Sequence, residues 1–216
     1  MNERFFLLPR EKQERIINAG YHVFANNTYK NSPVGEIAMI AGISKSLLFH
    51  YFHNKKELYL FLWDTCEKTT KEYLEAYDCY ATTELFEGIE RGMRAKFSLM
   101  RHYPDMAAFA IRAFYEKDSE VCGLVGERYQ KALNGKAANV KAMYDTGQFI
   151  PGLNISQMYR NMYLATEGYL WEQLRNPMPD VNRWEKDFTE MVSFWKSIYL
   201  RRSSDVADEQ RPSATL

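Results

Sequence analysis

The stretch from Ser32 to Phe52 constrains the fold of this chain more than any other part of it. Its sequence is SPVGEIAMIAGISKSLLFHYF, and NKKEL follows at residues 54–58. Apolar residues recur there at steps of three and four, the period of a helix with one buried face: Val34, Ile37, Ala38 and Ala41. Gly42 supplies the positive φ that ends a helix. We therefore predict two short helices joined by a tight turn.

Capping residues mark where each short helix begins. Ser32 precedes Pro33, which predicts a side-chain oxygen at the N-cap and a proline at N1. Ser44 takes the N-cap position of the second helix. The anchoring side of that second helix carries Leu47, Leu48 and Phe52. Its other side carries small polar and basic residues: Ser44, Lys45, Ser46 and His50. This pattern is typical of a helix-turn-helix, whose second helix reads base edges.

A helical hairpin inside an ordinary bundle is the alternative interpretation. The next helix helps to decide between the two, because it opens with Lys55 and Lys56. A lysine at a helix N-terminus opposes the helix dipole, so stability alone does not require it. A phosphate backbone would explain it. The capping box Asn54 to Glu57 predicts where this helix begins.

Composition limits the remaining classes of function. The 216 residues carry no net charge, but residues 10–60 hold seven Lys or Arg against four Glu, which indicates only a local basic patch. The three cysteines lack metal-ligand spacing and are expected to be free thiols, and the four histidines also lack it. No apolar run is long enough for a signal peptide or a membrane span. We expect a cytoplasmic protein without a metal or cofactor.

Enzyme signatures are missing from the chain. It lacks GxxxxGK, GxSxG and HExxH, and the match of Ser193 to Lys196 with SxxK lies among heptad residues of the last helix. We therefore expect no catalytic site.

The remainder of the chain is helical by its apolar period and nearly free of strand signals. The expected fold is all-α with about nine helices, of which the first spans Arg10 to Asn26 and the fourth Lys55 to Tyr77. The apolar arm from Phe5 to Leu8 is interpreted as a staple on the following helix, with a DNA-contacting arm as the alternative. The polar segment 202–216 is predicted to be a disordered tail.

The last two helices carry heptad seams that predict a partner. The first seam is Ile155, Tyr159, Met162, Thr166 and Tyr169, and the second is Trp184, Phe188, Met191, Trp195 and Ile198. The alternative is that both seams face the chain's own core. A four-helix bundle formed with a second copy would place two recognition helices about 34 Å apart, as a palindromic site requires.

The motifs between about Arg10 and Leu60 resemble those of the TetR/AcrR family of bacterial transcription regulators. The similarity rests on IxNAG at residues 16–20, FANNTY at residues 24–29, and the helix-turn-helix stretch with NKKEL. The rest of the chain matches in architecture only. The resemblance implies an all-helical homodimer that binds a pseudo-palindromic operator in double-stranded DNA, usually as a repressor. A small molecule in the C-terminal domain usually releases it.

The resemblance also implies residue roles. Lys45 and Ser46 would face the DNA groove, Tyr51 would lie near phosphate, Lys55 would grip phosphate, and Ser32 would donate to phosphate. Phe49 departs from the family, which commonly has tyrosine there, so a phosphate-binding hydroxyl is missing. His50 could read a base or a phosphate.

The implied domain division is a DNA-binding domain at 1–54, a connecting helix at 55–77, and a ligand-binding and dimerisation domain at 78–201. A small apolar or aromatic effector is expected near the end of the connecting helix. Candidate pocket residues are Tyr73, Tyr77, Phe97, Met100, Phe109, Phe114, Tyr144 and Tyr163. The competing hypothesis is a dimeric helical interaction module, or a DNA-binding regulator without ligand gating.

Overall fold

The computed structural model of the chain describes residues 3–137, 144–173 and 180–201. Those residues form nine α-helices and two short 3-10 turns, Glu3–Phe5 and Thr146–Gln148, which confirms the all-α prediction. The helices are α1 Arg10–Asn26, α2 Val34–Ile40, α3 Lys45–Tyr51, α4 Lys55–Ala76, α5 Leu85–His102, α6 Pro104–Phe114, α7 Cys122–Ala137, α8 Ile155–Gln173 and α9 Val181–Tyr199. The predicted tail at 202–216 lies outside the described residues.

The chain divides into two compact units. The first unit comprises Met1–Ala76 and Ala95–Ala137, and the second comprises Tyr77–Arg94 and Ala138–Leu216. This division differs from the one expected from the sequence, because α6 and α7 belong with the helix-turn-helix. The expected boundary followed chain order, whereas packing joins elements that are distant along the chain.

Helix α1 is the central support of the first unit. Its buried stripe follows the three- and four-residue steps of a helix with one inner face: Ile16, Ala19, Gly20, Val23 and Phe24. Gly20 has a packing reason, since a Cβ there would lie 2.7 Å from Leu62 Cδ1 of α4. Tyr21 secures the same contact, because its hydroxyl donates to the Leu62 carbonyl at 3.0 Å. Helices α1 and α4 therefore pack closely enough to hold α2 and α3 in place.

The start of α4 follows the predicted cap. The Asn54 side chain accepts from the Glu57 N–H at 2.8 Å. The Glu57 carboxylate accepts from the His53 N–H at 3.0 Å and lies 2.7 Å from His53 Nδ1. The carboxylate thus reaches back one residue beyond the N-cap and rigidifies the turn between α3 and α4.

Helix α6 closes the first unit with aromatic packing. Phe109 is fully buried, with ring centroids 5.3 Å from Tyr21, 5.1 Å from Tyr59 and 6.2 Å from Phe24. Phe109 was predicted to line an effector pocket. The structure places its ring in the core between α1, α4 and α6, and its contact with a ligand stays a prediction.

The second unit is held together by α8, α9 and the first half of α5. Its core contains Leu85, Phe86, Met158, Met162 and Trp195, among others. The end of α9 and the residues after it bond to the turn before α8. The Ile150 N–H donates to the Tyr199 carbonyl, and the Arg201 N–H donates to the Gln148 carbonyl, both at 3.0 Å. Over the described ranges, no helix has the length and apolar character needed to cross a membrane.

Candidate nucleic-acid interface

The turn between α2 and α3 has the conformation that the sequence predicts. Gly42 has a φ of 67°, a left-handed value that suits glycine. The Ser44 hydroxyl accepts from the Leu47 N–H at 3.1 Å and lies 3.0 Å from the Ser46 hydroxyl. The N-cap prediction for Ser44 is confirmed. Because the cap is made within the chain, α3 begins at a defined residue before any DNA arrives.

Helix α3 has one buried side and one exposed side. Leu48 and Tyr51 are buried on the inner side, whereas Lys45, Ser46 and His50 are exposed. The buried residues fix how the helix is rotated, so the exposed side chains project from a rigid support. These three residues offer a cation, a hydroxyl and an imidazole, the groups that bind phosphates and base edges.

The ring of Phe49, which lacks the hydroxyl expected to bind phosphate, contacts the Lys45 side chain instead. The Lys45 ammonium lies 5.9 Å from the centroid of the Phe49 ring, within the range of a cation–π contact. The ring therefore limits where the Lys45 side chain can go. Because the ring already restricts the Lys45 side chain, that side chain loses less conformational entropy when it binds DNA.

Ser32 does not occupy the position predicted for it. Its side chain is buried, and its hydroxyl donates to the Thr28 carbonyl at 2.8 Å. Pro33 takes the N-cap position of α2, without a side-chain cap. The N-cap prediction for Ser32 is wrong, because the hydroxyl closes the turn that follows α1. Since the hydroxyl donates within the chain, a phosphate contact from this side chain would require that bond to break.

Tyr51 is a core residue. It is 5% exposed, and its ring centroid lies 6.0 Å from that of Phe5 in an edge-on arrangement. The ring therefore holds α3 against the residues that precede α1. Its phosphate contact stays a prediction.

Lys55 stabilises the chain itself. Its ammonium donates to the carbonyls of Tyr29 and Lys30 at 2.8 and 3.0 Å, and it lies 4.6 Å from the centroid of the Tyr29 ring. The expectation that stability does not require Lys55 is therefore wrong, since its ammonium caps the turn between α1 and α2. An ammonium has three N–H donors, so one is left for the predicted phosphate contact.

Tyr29 links the helix-turn-helix to α6 and α7, which the sequence did not indicate. Its N–H donates to Glu116 and its hydroxyl to Glu120, both at 2.7 Å. Arg112 adds a second link by donating to the Ala25 carbonyl at 2.8 Å. The partners lie 87 or more positions apart along the chain, so no local pattern could have identified them.

Burial raises the pKa of several acidic side chains of this unit, which keeps them neutral at physiological pH. Burial, followed by the hydrogen bond to Glu120, raises the pKa of Tyr29. Burial raises the pKa of the Cys66 thiol to about 11. Burial likewise raises the pKa of Tyr21. The positive charge that DNA would meet is therefore that of the exposed lysine and arginine side chains.

The predicted pocket residues are divided between the two units. Tyr73, Phe97, Met100, Phe109 and Phe114 belong to the first unit, whereas Tyr77, Tyr144 and Tyr163 belong to the second. Phe114 meets Tyr129 of α7 edge-on with ring centroids 4.5 Å apart, and the rings of Tyr73 and Tyr103 have centroids 6.3 Å apart. These contacts make the two residues part of helix packing.

The two heptad seams pack against each other within the chain. Tyr169 and Phe188 have centroids 5.0 Å apart, and Trp195 shares a cluster with Met162 and with partly buried Ile155, Tyr159 and Met191. Trp184, Phe188 and Trp195 are at least nine-tenths buried in the single chain. The helical period was predicted correctly, but these three residues face the chain's own core, which was the alternative interpretation. Ile198 is the exposed member of its seam, at 40%.

Comparison with known proteins agrees with this geometry. Residues 16–61, from α1 to the first turns of α4, match the sequence model of the family "Bacterial regulatory proteins, tetR family". A search of curated proteins found no match.

Solved structures share the fold over nearly the whole chain. A TetR family transcriptional regulator from Chloroflexus aurantiacus is 19% identical, with a TM-score of 0.66 over 93% of this chain and 99% of that one. The fatty acid degradation regulator FadR from Bacillus halodurans is 15% identical, with a TM-score of 0.65 over 86% and 95%. SmeT, the repressor of the Stenotrophomonas maltophilia multidrug efflux pump SmeDEF, is 14% identical, with a TM-score of 0.65 over 90% and 94%.

The family match covers the helices that carry the exposed face of α3, and the shared fold extends to the C-terminal helices. Residues 16–61 are thus similar to the tetR family of bacterial regulatory proteins, and the chain, which shares the fold of solved TetR-family regulators, is a DNA-binding transcriptional regulator.

Proposed function

We propose that two copies of this chain bind a pseudo-palindromic operator through α3 and repress transcription until a small molecule releases them. The observation that carries the proposal is the face of α3. Lys45, Ser46 and His50 are exposed on a helix whose other side is buried and whose start is capped. A short helix of this kind reads only a few base pairs, so one copy alone would bind DNA weakly.

Exposed apolar residues on the last two helices support a homodimer. Leu164 and Trp171 of α8 are 52% and 49% exposed and lie seven residues apart, on one side of that helix. Phe194 and Ile198 of α9 are 60% and 40% exposed and lie four residues apart. Large apolar side chains at such exposure are typical of protein interfaces. We therefore move the proposed dimer contact from the buried seam to these four residues.

The links around Tyr29 support control by a ligand. Glu116 and Glu120, in the segment between α6 and α7, accept hydrogen bonds from Tyr29. The Tyr29 carbonyl in turn accepts a hydrogen bond from Lys55 at the start of α4. A ligand that displaces α6 or α7 would therefore disturb the turn that leads into α2. It shifts the equilibrium only by the difference of its affinities for the two states. The proposed effector class is a small apolar or aromatic molecule.

A regulator without ligand gating and a dimeric interaction module are the competing functions. An interaction module predicts little dependence of binding on salt, because no phosphates are neutralised. A DNA-binding regulator predicts that affinity falls steeply between 50 and 200 mM salt, on the order of 10³-fold or more for six or more phosphate contacts. An ungated regulator gives the same salt dependence and no response to any ligand.

The test is fluorescence anisotropy with the DNA upstream of the chain's own gene, with and without a library of apolar and aromatic compounds. We expect Lys45→Ala to weaken binding strongly while the dimer stays intact. Lys186→Ala, which removes an exposed lysine of α9, is the matched control and should bind as the wild type does. Normal binding by Lys45→Ala would contradict the role of α3.

Lys55→Ala has to be interpreted with a stability measurement beside it. The variant removes the proposed phosphate contact and also the ammonium that donates to the Tyr29 and Lys30 carbonyls. We expect weaker binding together with a lower melting temperature. Weaker binding at an unchanged melting temperature would show that the phosphate contact is the larger of the two roles.

A further inference from the structure

Residues 3–8 lie before the family match and form an ordered segment of the DNA-binding unit. The Phe6 N–H donates to the Glu3 carbonyl at 3.0 Å, and the Leu8 N–H donates to the Phe5 carbonyl at 3.2 Å. The Gln13 side chain donates to the Phe6 and Leu8 carbonyls at 3.3 and 2.9 Å. The segment is thus tied both to itself and to the first turn of α1.

Phe5 anchors this segment in the core. It is fully buried, and its ring centroid lies 5.0 Å from Phe52, 5.3 Å from Phe61 and 6.0 Å from Tyr51. These partners belong to the end of α3 and the second turn of α4. The predicted staple therefore exists, and its buried ring packs on α3 and α4 in addition to the bonds that Gln13 of α1 makes to the segment. As a result, whatever adjoins Phe5 is held beside the recognition helix.

Arg4 is the residue so placed. It is exposed, and its Nη1 atom lies 3.5 Å from Nε2 of His50, in the last turn of α3. His50 is on the same exposed side as Lys45 and Ser46. The contact therefore places the guanidinium of Arg4 beside the exposed side of α3, where the groups that would meet DNA lie.

We propose that Arg4 is a DNA contact of this chain, binding the phosphate backbone beside α3, and that Phe5 is the residue that positions it. The inference rests on the proposed DNA-binding function. Arginine suits the role because its planar guanidinium donates two parallel hydrogen bonds to a phosphate. The contact adds one cation per copy to those on α3. It also makes the interface start before the first helix of the matched domain.

The experiment uses a duplex that the wild-type chain selects from a random-sequence library, with affinity measured by anisotropy between 50 and 200 mM salt. Arg4→Ala should bind at least about tenfold more weakly, and the slope of log K against log salt should become shallower by about two per dimer. Lys186→Ala loses the same charge from α9 and should match the wild type in both quantities.

A second pair of variants tests the positioning role of Phe5. Phe5→Leu keeps an apolar anchor and should retain most of the affinity. Phe5→Ala keeps Arg4 but loses the anchor, so its salt slope should fall to that of Arg4→Ala. Because Phe5→Ala could fail to fold, the decision rests on Arg4→Ala, which changes only an exposed side chain.

The outcomes separate this inference from the function on which it rests. If Lys45→Ala loses binding while Arg4→Ala equals Lys186→Ala, the proposed function stands and the role of Arg4 is refuted. If the wild type selects no duplex at all, the proposed function fails and the role of Arg4 fails with it. Loss in both Lys45→Ala and Arg4→Ala, with the shallower slope in the second, supports the inference.

Discussion

The helix-turn-helix and the last two helices both show clear helical periods, yet they use their apolar residues differently. In α3 the apolar residues turn inward and the exposed side is polar. In α8 and α9 the inward seam is equally apolar, but large apolar residues also remain outside, such as Phe194 at 60% exposure. The period therefore identifies a helix in both regions. Only the structure tells which apolar residues are left for a partner.

The sharpest test of this contrast is Trp195, which is 8% exposed. We expect Trp195→Ala to lower the free energy of unfolding by about 3–5 kcal/mol, because it removes a large core side chain. Denaturant titration at several protein concentrations measures the loss. The matched control is Trp171→Ala, at a 49% exposed position, whose effect should vary with protein concentration. Equal and concentration-independent losses in both variants would contradict the division into core and interface.

The neighbouring residue tests the interface side. Phe194→Asp should raise the dimer dissociation constant by on the order of 100-fold, because a carboxylate from each copy would be desolvated at the contact. Light scattering after size-exclusion chromatography measures the change. Thr189→Glu on the same helix is the control, since it is exposed and points roughly 140° away from Phe194. An unchanged dimer for Phe194→Asp would place the interface elsewhere.

Thiol reactivity tests how firmly the DNA-binding unit is closed. The pKa of Cys66 rises from 9.0 to about 11, so its thiolate fraction near pH 8 is roughly 100-fold below that of an ordinary thiol. We expect half-buried Cys122 to react first with a disulfide reagent and Cys66 only on unfolding. Mass spectrometry of the labelled peptides measures the order. Early labelling of Cys66 would mean that α4 opens readily.

The same pKa shift has a consequence for stability. A raised thiol pKa in the folded chain contributes stability that is present below pH 9 and is lost as the pH rises to about 11. Cys66→Ala should therefore reduce the loss of stability over that range. Chemical unfolding at pH 8 and pH 11 gives the comparison.

The smallest effect concerns the cap of α3. Ser44→Ala should lower the free energy of unfolding by about 1 kcal/mol, since the Leu47 N–H loses its acceptor. Ser46→Ala is the matched control, because it removes a neighbouring hydroxyl that makes no bond to the α3 backbone. Thermal melting of both variants distinguishes them. A larger loss for Ser46→Ala would show that the two hydroxyls act as a pair.

Local signals explain most of what could be predicted from the sequence. The Ser44 and Asn54 caps, the turn at Gly42 and the buried stripe of α1 depend on residues a few positions apart, so sequence spacing identifies them. The positions of Ser32, Lys55 and Phe109 could not be predicted this way. Their partners come from other turns or helices, and a residue type alone does not tell which one it meets.

The same limit applies to the candidate interface. Lys45 and His50 were identified because they lie on the outer side of a short amphipathic helix. Arg4 was missed because it lies 46 positions from His50 along the chain. Its place beside His50 depends on where Phe5 packs. The burial of Trp184, Phe188 and Trp195 within the chain could not be predicted, because a heptad period fits a contact within the chain and a contact between copies equally well.

The exposed apolar side of α8 and α9 also bears on how much protein a cell must make. When two copies must meet before they can hold one palindromic site, occupancy of that site varies with the square of the monomer concentration below the dimer dissociation constant. A twofold fall in synthesis would then reduce occupancy about fourfold. Leu164, Trp171 and Phe194 would thus set the steepness with which the regulated genes respond to the regulator's own abundance.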